Sequence, residues 1–342
     1  MRRALKPRLA ASKRRIHRMP QSHDAEARSA PRRKSSLNTL IVGASGFNGR
    51  TLSHRLQMNR HRVRGLVRDV ANAPISLDDI VQGDVITGEG LTQALTGVDV
   101  AYYFVHSLDP GDGSTDERDL RAAHTFAKAA AAAGLPRLVY LTTLAPPAGA
   151  TPPAYQRNRL AVESIFIEHI NDAIILRSPL VLGSGSRALR PYLRLVQRVP
   201  MIPMGPWRYN RIAVVDAAAV AEFLLAAATA PESAAGSWDI PASAQPTHLQ
   251  FIQHIAHTLG LRRFTLGTPV ANAALDARLM AAITGESYQF CRTFITANQL
   301  DYIVDPTRQV RFTNVAPQPL TTALQAAILN WNDLPRYHQR PK

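Results

Sequence analysis

The chain has 342 residues, 46% of them hydrophobic, enough to bury a sizeable core in one large domain or two smaller ones. Its single cysteine, Cys291, excludes an internal disulfide and metal sites built on several thiolates, and fits a reducing, cytoplasmic setting. The net charge of +15 resembles a nucleic-acid signature until it is divided along the chain, because residues 1–36 hold 12 of the 40 Lys and Arg but only 2 of the 25 Asp and Glu.

Those first 36 residues lack apolar periodicity and read as a disordered basic tail. They have no apolar run for a secretory signal, and their arginine-rich, acid-poor make-up is shared with organelle transit peptides. Met19 also offers a later start, so the tail is expected to be an upstream extension rather than a functional arm, and no specific nucleic-acid partner is expected. Thr39 to Val42 is a short apolar run suited to a strand buried on both faces. Gly43, Gly46 and Gly49 follow in a G-x-x-G-x-x-G pattern, a helix begins near Gly46, and His61 to Val67 alternates as a second strand. Asp79–Gln82 reads as a short strand, Leu91–Leu95 as a short helix and Val98–Val105 as a central strand. Ser114 or Thr115 caps a helix to about Ala133, which Gly134 stops. Leu138–Thr142, the helix Tyr155–His169 and Ala173–Leu176 complete five or six strands separated by helices, the pattern of an α/β doubly wound parallel sheet.

The rhythm changes after Arg177. Gly183 and Gly185 mark a loop, Arg187–Val199 is basic and amphipathic, and Pro200–Pro206 reads as a proline-rich turn. Ile212–Val215 and a helix capped by Asp216 restore the regular pattern. A helix capped by Thr247, irregular strands, and a helix from about Leu320 to Trp331 follow. The expected division is a dinucleotide-binding domain over 37–182, completed by about 212–240, with a smaller α+β substrate region from 183–211 and 241–342. The longest apolar helix-like stretch, Ile212–Ala230, contains Asp216 and Glu222 and makes a poor membrane span.

Strand, glycine turn, helix and second strand in this order form the context a dinucleotide site requires. Gly43 supplies the turn, Gly46 allows a pyrophosphate to approach the backbone, and Gly49 permits close helix–strand packing. The helix N-terminus, with Ser45, Phe47 and Asn48, faces the phosphates. Where an acidic residue would accept hydrogen bonds from the NAD ribose, this chain has Arg68, and Arg50 lies just past the glycines. Guanidinium groups pair well with a 2′-phosphate, so NADP is favoured. The alternative is that both arginines are solvated and Asp69 holds the ribose of NAD.

The ordered set of segments over about residues 37–240 resembles the extended and atypical short-chain dehydrogenase/reductase superfamily, and in particular bacterial NAD(P)H-binding NmrA-like and NAD-dependent epimerase-like proteins. The resemblance puts Asp84, in Gly83-Asp84, against the adenine amino group, Val105 and His106 at the end of the fourth strand beside the cofactor, and Pro179, in ILRSPLVLG, under the nicotinamide. It also implies a tyrosine acid/base assisted by a lysine one helical turn on, with a hydroxyl residue binding the substrate oxygen. Tyr155 and Thr143 match, but Arg159 stands in place of the lysine. Arginine supplies charge and ribose hydrogen bonds yet does not readily lose its proton. The resemblance thus implies an NADP(H)-preferring oxidoreductase or epimerase-like protein acting by hydride transfer on a carbonyl or alcohol. The apolar lids with scattered arginines point to a small apolar or amphipathic substrate. The alternative is a non-catalytic NAD(P)H sensor or assembly subunit. Arg159 and Glu163 also stand at i,i+4, the spacing of a surface ion pair. Trp207, Tyr209 and Arg211 are further candidates for substrate contacts.

Overall fold

The computed structural model describes residues 36–106, 115–268, 272–329 and 331. Residues 1–35 of the basic tail, and Ser114, therefore lie outside the described residues.

The first half alternates β1 (Asn38–Val42), α1 (Phe47–Met58), β2 (Arg62–Val67), β3 (Asp79–Gln82), α2 (Leu91–Leu95), β4 (Val100–Tyr103), α3 (Thr115–Ala132), β5 (Arg137–Thr143), α4 (Ala154–His169) and β6 (Ala173–Ser178). Then come β7 (Leu180–Leu182), α5 (Arg190–Arg198), β8 (Met201–Met204), β9 (Val214–Asp216), α6 (Ala217–Ala228) and β10 (Gly236–Asp239). The last part contains α7 (His248–Thr258), β11 (Phe264–Gly267), α8 (Ala273–Thr284), α9 (Tyr288–Ala297) and α10 (Leu320–Leu329).

Seven strands form one parallel sheet in the order β10-β6-β5-β4-β1-β2-β3. The order reverses between β1 and β4, and the crevice beyond their carboxyl ends is where such sheets hold ligands. Alternate residues of each strand face opposite layers. Leu40, Tyr103 and Tyr140 pack against Phe126 of α3 and Phe166 of α4, while Ile41, Tyr102 and Val139 pack against Leu52 of α1 and Phe223 of α6. Tyr102 and Tyr103 are therefore packing residues of the two layers. A further core joins α5, α7, α8, α9 and α10 over Ile202 and Met204 of β8.

The structure departs from the sequence expectation in three places. The sheet has seven strands rather than five or six, because Gly236–Asp239 pairs with Ile174–Arg177 of β6. The expected turn Pro200–Pro206 contains β8, which pairs in parallel with β11; Pro203 lacks an amide donor and is tolerated in a two-stranded sheet, where each strand has a free edge. The irregular strands expected after residue 258 are largely the helices α8 and α9, whose first turns are capped by the side chains of Asn272 and Ser287. The caps foreseen at Asp216 and Thr247 are present, and Thr247 forms a reciprocal capping box with Gln250.

Candidate functional site

The glycine turn leaves β1 with Gly43 at φ +90°, a conformation that strains any side chain. The Gly46 amide donates to the Gly43 carbonyl at 3.1 Å, and α1 starts at Phe47 with no side-chain cap on its first amides. A Cβ at Gly49 would lie 2.5 Å from the Gly43 carbonyl oxygen and 2.7 Å from Ala44 Cα, so only glycine lets α1 pack this closely on β1. Phe47 reaches across to the loop after β7, where a Cβ at Gly183 would meet its ring at 2.5 Å.

A cavity of about 480 Å³ opens beside this turn. Gly43, Gly46, Phe47, Asn48 and Gly49 form one wall. His106 after β4, Thr143 after β5, Tyr155 and Arg159 on α4, and Pro179 after β6 line it further. The turn, His106, Thr143 and Pro179 follow the carboxyl ends of four adjacent strands, β1, β4, β5 and β6, which is why positions over a hundred residues apart meet. Val105 stands next to the turn: its Cγ2 lies 3.5 Å from where a Gly43 Cβ would be.

Tyr155 and Arg159 share one face of α4, with the Arg159 guanidinium 4.9 Å from the Tyr155 ring centroid. Arg159 is only 5% exposed, and its Nη2 has no hydrogen-bond partner. Burial opposes its charge, but the Tyr155 and Tyr140 hydroxyls and the Asp119 carboxylate nearby outweigh that and raise its pKa. The surface ion pair with Glu163 does not form. Glu163 is buried and instead accepts from Arg177 Nη2 at 2.6 Å and Nε at 3.2 Å, with the Ser237 hydroxyl donating at 2.5 Å. Arg159 is thereby left to the cavity.

His106 Nδ1 lies 3.1 Å from the Phe104 carbonyl oxygen. A carbonyl only accepts, so Nδ1 carries the proton and Nε2 of the neutral ring is an acceptor. Burial and then the Arg159 charge push the His106 pKa down to about 3. The buried Tyr140 hydroxyl lies beside Thr142 and Arg159, and burial raises its pKa.

The opposite wall is apolar: Phe290, Phe294 and Ala297 of α9, with Leu180, Ile212 and Ala213. Tyr302 adds a hydroxyl that donates to Gln156 Oε1 at 2.5 Å. The α9 residues were missed in the sequence, although the spacing 290, 294, 297 is a helical face. Trp207, Tyr209 and Arg211 do not line the cavity. Trp207 is buried against His248, and Tyr209 lies under the Arg208 guanidinium.

The residues expected to select the cofactor lie outside the cavity lining. Arg50 donates to the carbonyls of Ser45 at 2.9 Å and Asn72 at 2.7 Å, and Arg68 is exposed. Asp69 turns both carboxylate oxygens into its own turn, accepting from the Ala71 amide at 3.0 Å and from Asn72 Nδ2 at 2.6 Å. Asp84 accepts from the Ile86 amide at 2.7 Å. Cys291 is fully buried, and burial pushes its thiol up to about 11. Among the described residues, no cluster of three or more His, Cys, Asp or Glu side chains is placed to hold a metal ion. No helix among them is long and apolar enough to cross a membrane.

Residues 43–179 match the NAD(P)H-binding family. That segment is thus similar to NAD(P)H-binding domains. A ceramide reductase of Caulobacter vibrioides is 31% identical over 191 residues, which is 52% of this chain; the match spans 58% of that relative's length. Among solved structures, gox2253 superposes with a TM-score of 0.67 at 18% identity, covering 86% of this chain and 97% of the other. The Bordetella bronchiseptica enzyme WbmH in complex with NAD+ superposes with a TM-score of 0.64 at 14% identity, covering 86% and 98%. The sheet, the glycine turn and the helix layers are thus those of a Rossmann-like fold.

Proposed function

We propose that the chain is an NADPH-preferring reductase of a carbonyl group on an apolar or amphipathic substrate. The observation that carries this is the cavity itself, bounded on one side by the glycine turn, on another by Tyr155 and Arg159, and on the third by the aromatic face of α9. In this reading residues 37–182 with 212–240 hold the cofactor, and 183–211 with 241–342 hold the substrate.

The residues fit a dinucleotide. The Gly49 packing keeps bulk out of the turn, and the buried Arg159 Nη2 has an unused donor for a ribose hydroxyl. Arg68 is exposed and available to a 2′-phosphate, whereas Arg50 already donates to the Ser45 and Asn72 carbonyls and the Asp69 carboxylate is engaged in its own turn. When bound, the nicotinamide supplies the hydride. Tyr155 Oη delivers a proton to the substrate oxygen, and Thr143 donates a hydrogen bond to that oxygen. The Arg159 charge stabilises the resulting phenolate, doing by position what a lysine would do, without itself releasing a proton. The apolar α9 wall receives the hydrocarbon part of the substrate. The name of the Caulobacter relative supports a lipid-like ketone as the first substrate to try.

The test is NADPH oxidation with medium- and long-chain ketones and Tyr155→Phe as control. A loss of roughly 10²–10⁴ in kcat with unchanged NADPH affinity is expected. Unaltered turnover in Tyr155→Phe removes the tyrosine from the mechanism. Arg159 in place of lysine favours a second reading, a non-catalytic NAD(P)H sensor; NADPH binding with no turnover on any carbonyl tried would support it.

A further inference from the structure

The small parallel sheet of β8 and β11 has two unlike faces. Ile202 and Met204 point inward and are fully buried in the C-terminal core. On the other face Met201, Phe264 and Leu266 are 54%, 70% and 54% exposed. Phe264 and Leu266 are two residues apart and so project to one side, and the register sets them beside Met201 and Pro203. Tyr209, 61% exposed, extends the patch, because Arg208 both stacks on its ring at 4.4 Å and lies against Gly267 at the end of β11. Exposed Leu275 borders the same end, next to Asp276, which touches Gly205 and bonds Thr268. An apolar patch of this kind marks an interface.

The charge around it indicates the occupant. Arg198 and Arg262 are exposed just before β8 and β11, Arg263 reaches from the start of β11 to the Val196 and Gln197 carbonyls, and Arg208 lies at the far end against Gly267. Residues 262–298 contain four arginines, with Asp276 and Glu286 the only acids. Asp276 is buried, and Glu286 is taken by Arg190 at 2.6 Å and Arg194 at 2.8 Å. A second copy set on this face would bring Arg198, Arg208, Arg262 and Arg263 at its rim against their own counterparts, positive charge against positive charge. A bilayer of anionic phospholipid offers phosphates to the rim and apolar depth to the centre. We propose that this face docks the protein peripherally on an anionic membrane surface. The inference stands independently of the reductase proposal.

The test is flotation of the full chain with vesicles of phosphatidylglycerol and phosphatidylcholine, against phosphatidylcholine alone, in 0.1 and 0.5 M NaCl. The higher salt screens attraction that is purely electrostatic, including any from the basic tail. Binding to the anionic vesicles that persists in part at 0.5 M NaCl is expected. Phe264→Asp/Leu266→Asp should weaken it about tenfold or more, with NADPH binding unchanged as evidence of folding. Phe264→Trp, with brominated lipid in the vesicles, should show quenched fluorescence when bound, beyond any quenching of the parent's own tryptophans. Parent-like flotation of the double variant, or no added quenching in the Phe264→Trp variant, overturns the proposal. So does light scattering that shows a parent dimer dissociated by the double variant while vesicle binding is unaltered, since the face then belongs to a second copy.

Discussion

Helix α4 carries both Tyr155 and Arg159, and one buried ion pair ties it to the sheet. Arg177 on β6 donates twice to Glu163, the two side chains being 9% and 7% exposed, and Ser237 of β10 donates to the same carboxylate. Glu163→Ala leaves the Arg177 guanidinium buried with its main counter-charge gone. Breaking a buried pair from one side costs about 3–5 kcal/mol. For an ordered region of this size each kcal/mol lowers Tm by about 2 °C, so a fall of roughly 6–10 °C is expected. Glu163→Leu/Arg177→Leu removes both charges and should recover much of that loss, because the desolvation penalty disappears with them. Thermal unfolding by circular dichroism, run on parent, single and double variants, measures both. A Tm within about 1 °C of the parent for Glu163→Ala, or a double variant less stable than the single, would refute the account of Glu163 as the buried partner of Arg177.

Gly49→Ala places a Cβ 2.5 Å from the Gly43 carbonyl oxygen, which α1 can relieve only by shifting off β1; it should cost about 1–3 kcal/mol and weaken NADPH binding, read by nucleotide fluorescence. Arg68→Glu should lower NADPH affinity by about tenfold or more while leaving NADH affinity nearly unchanged, and an equal loss for both nucleotides would mean Arg68 does not meet the 2′-phosphate. Burial holds both His106 and His248 down to about 3 from 6.5. Their folded pKa values lie below the unfolded ones, so their stabilising effect is complete above about pH 6.5 and is lost as pH falls toward about 3. Two such groups give a slope near about 2.7 kcal/mol per pH unit between about pH 6 and 4, and His248→Gln should reduce that slope in a urea-unfolding series.

The glycine turn was legible because backbone needs are local. A strand end at Val42, a positive φ at Gly43 and the absence of a Cβ at Gly49 each leave a mark in a dozen consecutive residues. The strand and helix alternation up to β6 was legible for the same reason, since burial on two faces produces apolar runs with period-specific spacing. The seventh strand was harder: Gly236–Asp239 is short and half-buried, and only its pairing with β6 marks it as a strand. In the C-terminal part the apolar residues serve a packed group of helices rather than a sheet, so neither period dominated and α8 and α9 were misjudged.

The sequence by itself therefore determined the fold class, the glycine turn and the shared helical face of Tyr155 and Arg159, all of which follow from neighbours along the chain. Only the tertiary structure decided what those side chains meet. The i,i+4 spacing of Arg159 and Glu163 promised an ion pair, but Glu163 turns to Arg177 and Ser237, whose donors are better placed in the interior. Asp69 looked free to hold a ribose and is spent on its own turn. A buried charge is satisfied by whichever partner the packing brings within reach, and that choice is made among segments distant in sequence, where spacing carries no information.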